Sequence, residues 1–131
     1  MYYAATRLIA LLAILATLAL MIYMARPWGD NYAYQSLSGY VWLLGFALWA
    51  ILPYFVVLFL VRRPFQSQAK LIFVIGALII SLGGVALYVD AALLHPDPQG
   101  ALAFIAVPFY QFIILGLLTG YHLLFSQKRS L

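Results

Sequence analysis

Residues 40–61 read YVWLLGFALWAILPYFVVLFLV, an apolar run that stops at Arg62-Arg63. The run carries no charge, and a helix of roughly 22 residues is about 33 Å long, enough to cross a hydrocarbon core of about 30 Å. A strand would leave unpaired backbone groups in lipid, so helix is the expected form. Three further segments have the same character: roughly Leu8–Ala25, Leu71–Val89 and Ala101–Phe125. The connections between them are short, so sequential helices are expected to pack antiparallel in one all-α, four-helix membrane bundle spanning residues 1–131.

Composition agrees. Hydrophobic residues make up 67% of the 131 and charged residues only 8%, far too little polar surface for a protein surrounded by water. There is no cysteine, which excludes disulfides, thiolate metal sites and dithiol redox chemistry. The basic pI does not point to nucleic acid, because the cations sit at segment ends rather than along one face.

Those cations orient the bundle. With the N-terminus inside, Arg7, Arg62, Arg63, Lys70, Lys128 and Arg129 all fall on the cytoplasmic side, and only Arg26 falls outside. The three acids, Asp30, Asp90 and Asp97, all fall outside. The positive-inside rule therefore predicts both termini in the cytoplasm, in a plasma membrane of the bacterial inner-membrane type. The first segment is longer than a signal-peptide core, and "IYMARPW" lacks small residues at a cleavage site, so it is read as a retained anchor. Aromatic residues mark the boundaries: Tyr23, Trp28, Tyr32, Tyr34, Tyr40 and Trp42 outside, and Tyr2, Tyr3, Phe65 and Phe125 inside.

Three groups of residues are candidates for function. At the midplane, Thr17, Trp49, Tyr54, Ser81 and Gln111 put a polar group on every helix. An amide such as Gln111 needs a partner in hydrocarbon, and an interhelical clamp of about 0.6–2 kcal/mol per bond is the economical reading. A pocket for a lipid-like or quinone-like ligand is the sharper one. At the outer boundary, "HPDPQG" (residues 95–100) gives Asp90, His95 and Asp97 a shared connection that Asp30 could join. Asp97 followed by Pro98 suits a helix N-terminus, and His95 suits the end of the preceding helix, so the stretch is first of all a well-formed turn. A proton relay or polar recognition site is the alternative. The spacing matches no defined metal-ligand pattern. The third group is small: Gly76, Gly83 and Gly84 in the third helix and Gly116 and Gly120 in the fourth, with Ala10, Ala13 and Thr17 in the first, could let helix backbones approach closely. In the fourth helix, at about 100° per residue, Gln111 and His122 share a face nearly opposite Gly116 and Gly120.

A repeat of Pro53-Tyr54-Phe55 in Pro108-Phe109-Tyr110 is weak, because Pro53 lies about nine residues before its basic end and Pro108 about twenty. His95 and His122 belong to opposite sides of the bilayer, so one haem cannot take both, and no other histidine is present. No cofactor is expected. No nucleophile elbow or phosphate loop appears, the serines have no histidine placed beside them, and the membrane glutamate of small multidrug transporters is absent. The expectation is a non-enzymatic membrane protein acting through helix contacts with a membrane partner or a second copy: an accessory subunit, a regulator or a toxin-neutralising protein. A transporter or channel lined by Gln111, Tyr54 and the Asp90–Asp97 region is the alternative class, and a lipid- or quinone-binding enzyme subunit is a more distant one.

Overall fold

A computed structural model describes residues 2–26, 29, 36–62, 67–96 and 100–127. They form four long helices: α1 (Tyr2–Ala25), α2 (Leu37–Leu60), α3 (Ser67–Val89) and α4 (Ala103–Gln127). A π-helical turn (Asp90–Leu94) extends α3, and a 3-10 turn (Gly100–Leu102) precedes α4. No strand occurs among the described residues.

The ends are set by local chemistry. Ser36 starts α2 from an extended backbone, its hydroxyl accepting the Gly39 N–H at 3.2 Å. At the other end of α2, Arg62 N–H donates to Phe59 O at 3.2 Å, tightening the last turn. α1 stops where Arg26 turns left-handed at φ 42°, a conformation that usually falls to glycine at a helix C-terminus. Its guanidinium lies over the Tyr23 ring, 5.5 Å from the centroid. Pro53 and Pro108 sit inside α2 and α4, which run on through them.

Around the bundle the order is α1–α2–α4–α3, so α1 packs on α2 and α3, and α4 packs on the same two. α2 and α3 are sequential but lie across the diagonal, touching only slightly. This departs from the expectation that every sequential pair would be neighbours. The reason is reach: a diagonal of roughly 14 Å, for helices about 10 Å apart, is within the span of four or five extended residues.

Paired contacts give direction and register. Trp49 meets Ile105, 56 residues on, and Tyr54 meets Gln111, 57 residues on, so α2 and α4 run parallel. Tyr88 with Phe104, Ile80 with Gln111, and Gly76 with Leu118 run in opposite order, so α3 and α4 are antiparallel. Thr17 meets Tyr54, and further along α1 Met21 and Met24 share one cleft with the earlier α2 residues Leu43 and Phe46, so α1 and α2 are antiparallel. Tyr3 and Lys70 meet near the starts of α1 and α3, with the ammonium 4.4 Å from the ring centroid, so these two are parallel.

The shift of 56 residues places Pro53 level with position 109, beside Pro108. The two prolines therefore stand at one height, although their distances to the basic ends differ. α4 simply continues past the end of α2: Val61 plus 56 is position 117, and α4 runs to Gln127.

Two apolar clusters fill the interior. One, towards the Lys70 end, includes Ala10, Ala13, Val57, Phe73, Ala77 and Leu115. The other, towards the Asp90 end, joins Met21, Ala50, Tyr88, Phe104 and Val107. The exterior is equally apolar, with Leu15, Trp42, Phe59, Leu82 and Leu117 all exposed. All four helices are long and apolar enough to cross a membrane, and only 28–44% of each apolar window is buried, so most of that surface faces outward. A water-soluble monomer rarely shows contiguous apolar patches of such extent.

The helix order has a direct check, since the chain has no native cysteine. Cysteine pairs made by Trp49→Cys with Ile105→Cys, and by Tyr3→Cys with Lys70→Cys, are expected to join through a short thiol cross-linker. In a bundle ordered α1–α2–α3–α4 both pairs would lie on diagonals, and neither would react.

Candidate functional site

Between the two apolar clusters lies a polar layer to which all four helices contribute. Tyr54, next to Pro53 on α2, is fully buried and points its hydroxyl into the layer. Thr17 Oγ1 of α1 donates to it at 3.4 Å, a long bond, and Gln111 Nε2 of α4 donates to it at 3.2 Å. The second hydrogen of Nε2 goes to the Ile80 carbonyl of α3 at 3.0 Å. Thr17, Tyr54, Ser81 and Gln111 are all buried.

Gly84 makes the arrangement possible. A Cβ on this residue would overlap both Gln111 Nε2 and Tyr54 OH, so the space of a missing side chain is taken by the amide and the phenol. Ser81, Gly84 and Tyr88 follow one another at spacings of three and four, on one face of α3. Tyr88 was not among the residues singled out from sequence. Its position two turns after Ser81 was the available signal. Its ring stacks on Phe104 at 4.6 Å and 11°.

Trp49 stands apart from this layer. Its Nε1 donates to Ile105 O at 3.2 Å on the exposed side of the α2–α4 seam, and its ring packs on Phe112 at 5.4 Å. Thr17, Tyr54 and Gln111 are thus brought together, with Ser81 beside them on the α3 face.

The outer candidates divide differently. His95 Nδ1 and Asp90 Oδ1 are 2.8 Å apart, and His95 N–H donates to Asp90 O at 2.8 Å, closing the π-helical turn. The side chains are 81% and 52% exposed, so this pair is a surface lock worth about 0–1 kcal/mol. Asp30 and Asp97 lie outside the described residues. Among the described residues no three histidines or acids are grouped to hold a metal.

The glycines fall into two sets. Gly76 lies under Leu118 and Gly84 under Gln111, so both serve the α3–α4 contact. A Cβ on Gly83, Gly116 or Gly120 would meet nothing within 4 Å. Thr119, between the last two, satisfies its hydroxyl on its own helix by donating to Leu115 O at 2.8 Å. Ala10, Ala13 and Thr17 of α1 are buried.

Near the Asp90 end an apolar cleft of about 210 Å³ opens between α1, α2 and the start of α4. Met21, Met24, Leu43, Phe46, Leu102 and Phe104 line it. It offers shape and apolar contact, with no charged side chain among the described residues of its wall.

Comparison with protein-family models, curated proteins and solved structures finds no match for this chain.

The layer and the surface pair should respond differently to substitution. Gln111→Leu removes both amide bonds and leaves Tyr54 OH only its long bond from Thr17, with an expected loss of about 1–3 kcal/mol. Gly84→Ala overfills the same place and is expected to cost about 1–3 kcal/mol, whereas Gly83→Ala has open space and should stay within about 1 kcal/mol. His95→Ala should leave the fold intact and change stability by no more than about 1 kcal/mol. Thermal unfolding in one detergent measures all four. Equal losses at residues 83 and 84 would contradict the packing described.

Proposed function

We propose that this chain is an integral membrane protein of four spanning helices, with both termini on the cytoplasmic side of a plasma membrane of the bacterial inner-membrane type, and that it works through helix contacts with another membrane component. The reading fits an accessory subunit, a regulator or a protein that neutralises a membrane toxin. One observation carries it. Thr17, Tyr54 and Gln111 are turned inward and bonded between helices, while the open glycines and many large apolar side chains face outward. What the protein offers a neighbour within the membrane is therefore surface shape.

Charge placement supports the orientation. Arg7, Arg62 and Lys70 lie towards one end of the bundle, and Arg26 and Asp90 towards the other. A transporter is the second reading, and its path would pass Tyr54 and Gln111. Both are buried, and the Gln111 amide bridges α2 and α3 across that route.

Reporter fusions at residues 31, 66 and 97 are expected to read outside, inside and outside; a cytoplasmic signal at 97 would reject the orientation. Purification in a gentle detergent tests the mode of action, with a stoichiometric membrane protein expected to co-purify. The combined change Gly116→Ile and Gly120→Ile should weaken that capture and leave the thermal stability of the isolated chain unchanged, because both positions are open. Solute flux by a discrete homo-oligomer in liposomes would instead establish the transporter.

A further inference from the structure

Gln111 has one acceptor left over. Both hydrogens of its amide nitrogen are committed, to Tyr54 OH and to Ile80 O. The amide cannot be turned round, because that would set its oxygen against the Ile80 carbonyl, acceptor against acceptor. Gln111 Oε1 is therefore held in one direction, buried, with no donor among the described residues.

Two further buried atoms on the facing surface of α3 have no partner among the described residues: Tyr88 OH and Ser81 Oγ. The three are not equivalent. Ser81 can turn its hydroxyl to the carbonyl four residues earlier, as Thr119 does to Leu115 O. Tyr88 has no such escape, because its phenol is too long to reach its own backbone and its ring is clamped on Phe104. The α3–α4 interface thus buries one fixed acceptor and one fixed donor, Gln111 lying against Gly84 and Tyr88 following one turn later on the same face of α3. Leaving each unmade costs about 1–3 kcal/mol, and buried polar groups in proteins are met by protein or by ordered water.

We propose that the polar layer binds a structural water molecule that joins Gln111 to Tyr88. The water accepts from Tyr88 O–H and donates one hydrogen to Gln111 Oε1. Its second hydrogen goes to Ser81 Oγ, which completes the three bonds typical of a buried water. The bundle then has a wet plane at mid-height, separated from both ends by the two apolar clusters.

Solid-state magnetisation transfer from water protons tests this on the full chain in bilayers of deuterated lipid. The expected result is rapid transfer to the Gln111 side-chain amide, with Leu115 and Phe104 in the flanking clusters silent. Tyr88→Phe should lower the Gln111 signal several-fold, and Ser81→Ala should lower it less, both with unchanged helical spectra. If Tyr88→Phe does not fold, the wild type and Ser81→Ala still decide the matter. A silent Gln111 in the folded protein overturns the proposal, as would happen if Tyr88 bonded it directly. A Gln111 signal unaffected by both substitutions overturns it too, because the water would then be held elsewhere.

Discussion

Each hydrogen of the Gln111 amide goes to a different helix, and the Tyr54 hydroxyl it reaches is also tied to α1, so one side chain on α4 fixes three neighbours at a single height. In lipid this matters more than in water. Apolar faces attract lipid tails about as well as they attract one another, so packing alone distinguishes poorly between helices that are rotated or slid. A slide of one turn, about 5.4 Å, would break the bonds of the layer and bury their polar atoms unpaired. The layer sets the register of the bundle, and Gly84 is the gap that lets it close.

Four long apolar helices and their approximate ends were legible in the sequence because uncharged runs of about 20 residues leave few other readings. Gln111 was legible too, as a lone amide inside such a run. The order of the helices was not, because apolar surfaces carry no label for their neighbours and a short connector reaches a diagonal as easily as an edge. Trp49 was grouped with Tyr54 by depth alone. Five residues at about 100° each place it some 140° around α2, on the outer seam. Depth and azimuth are separate coordinates, and both are needed to form a cluster. Tyr88 has the same lesson in reverse: it lies near the end of an apolar run, and only its azimuth, shared with Ser81 and Gly84, turns it inward.

The glycines show the same distinction between composition and position. Adjacent on α3, Gly83 and Gly84 are about 100° apart, and that angle decides everything about them. One holds space that an amide and a phenol occupy; the other borders open surroundings. Gly116 and Gly120 resemble a packing motif in spacing, yet they turn away from their own bundle. A spacing rule says that backbones could approach there, and the fold determines that any such approach is made by something other than α1, α2 or α3.

The levelled prolines give the molecule a mechanical character. Neither Pro53 nor Pro108 can donate a backbone hydrogen, so the carbonyls four residues earlier, on Trp49 and Phe104, lose their helical partners. These weak points fall at nearly the same height on two parallel, touching helices. In α2 and α4 the lost hydrogen bonds thus mark one line across both helices, next to the polar layer, where bending is easiest for that pair. A force on the Asp90 end of α2 and α4 would tilt those ends together about the level of Tyr54.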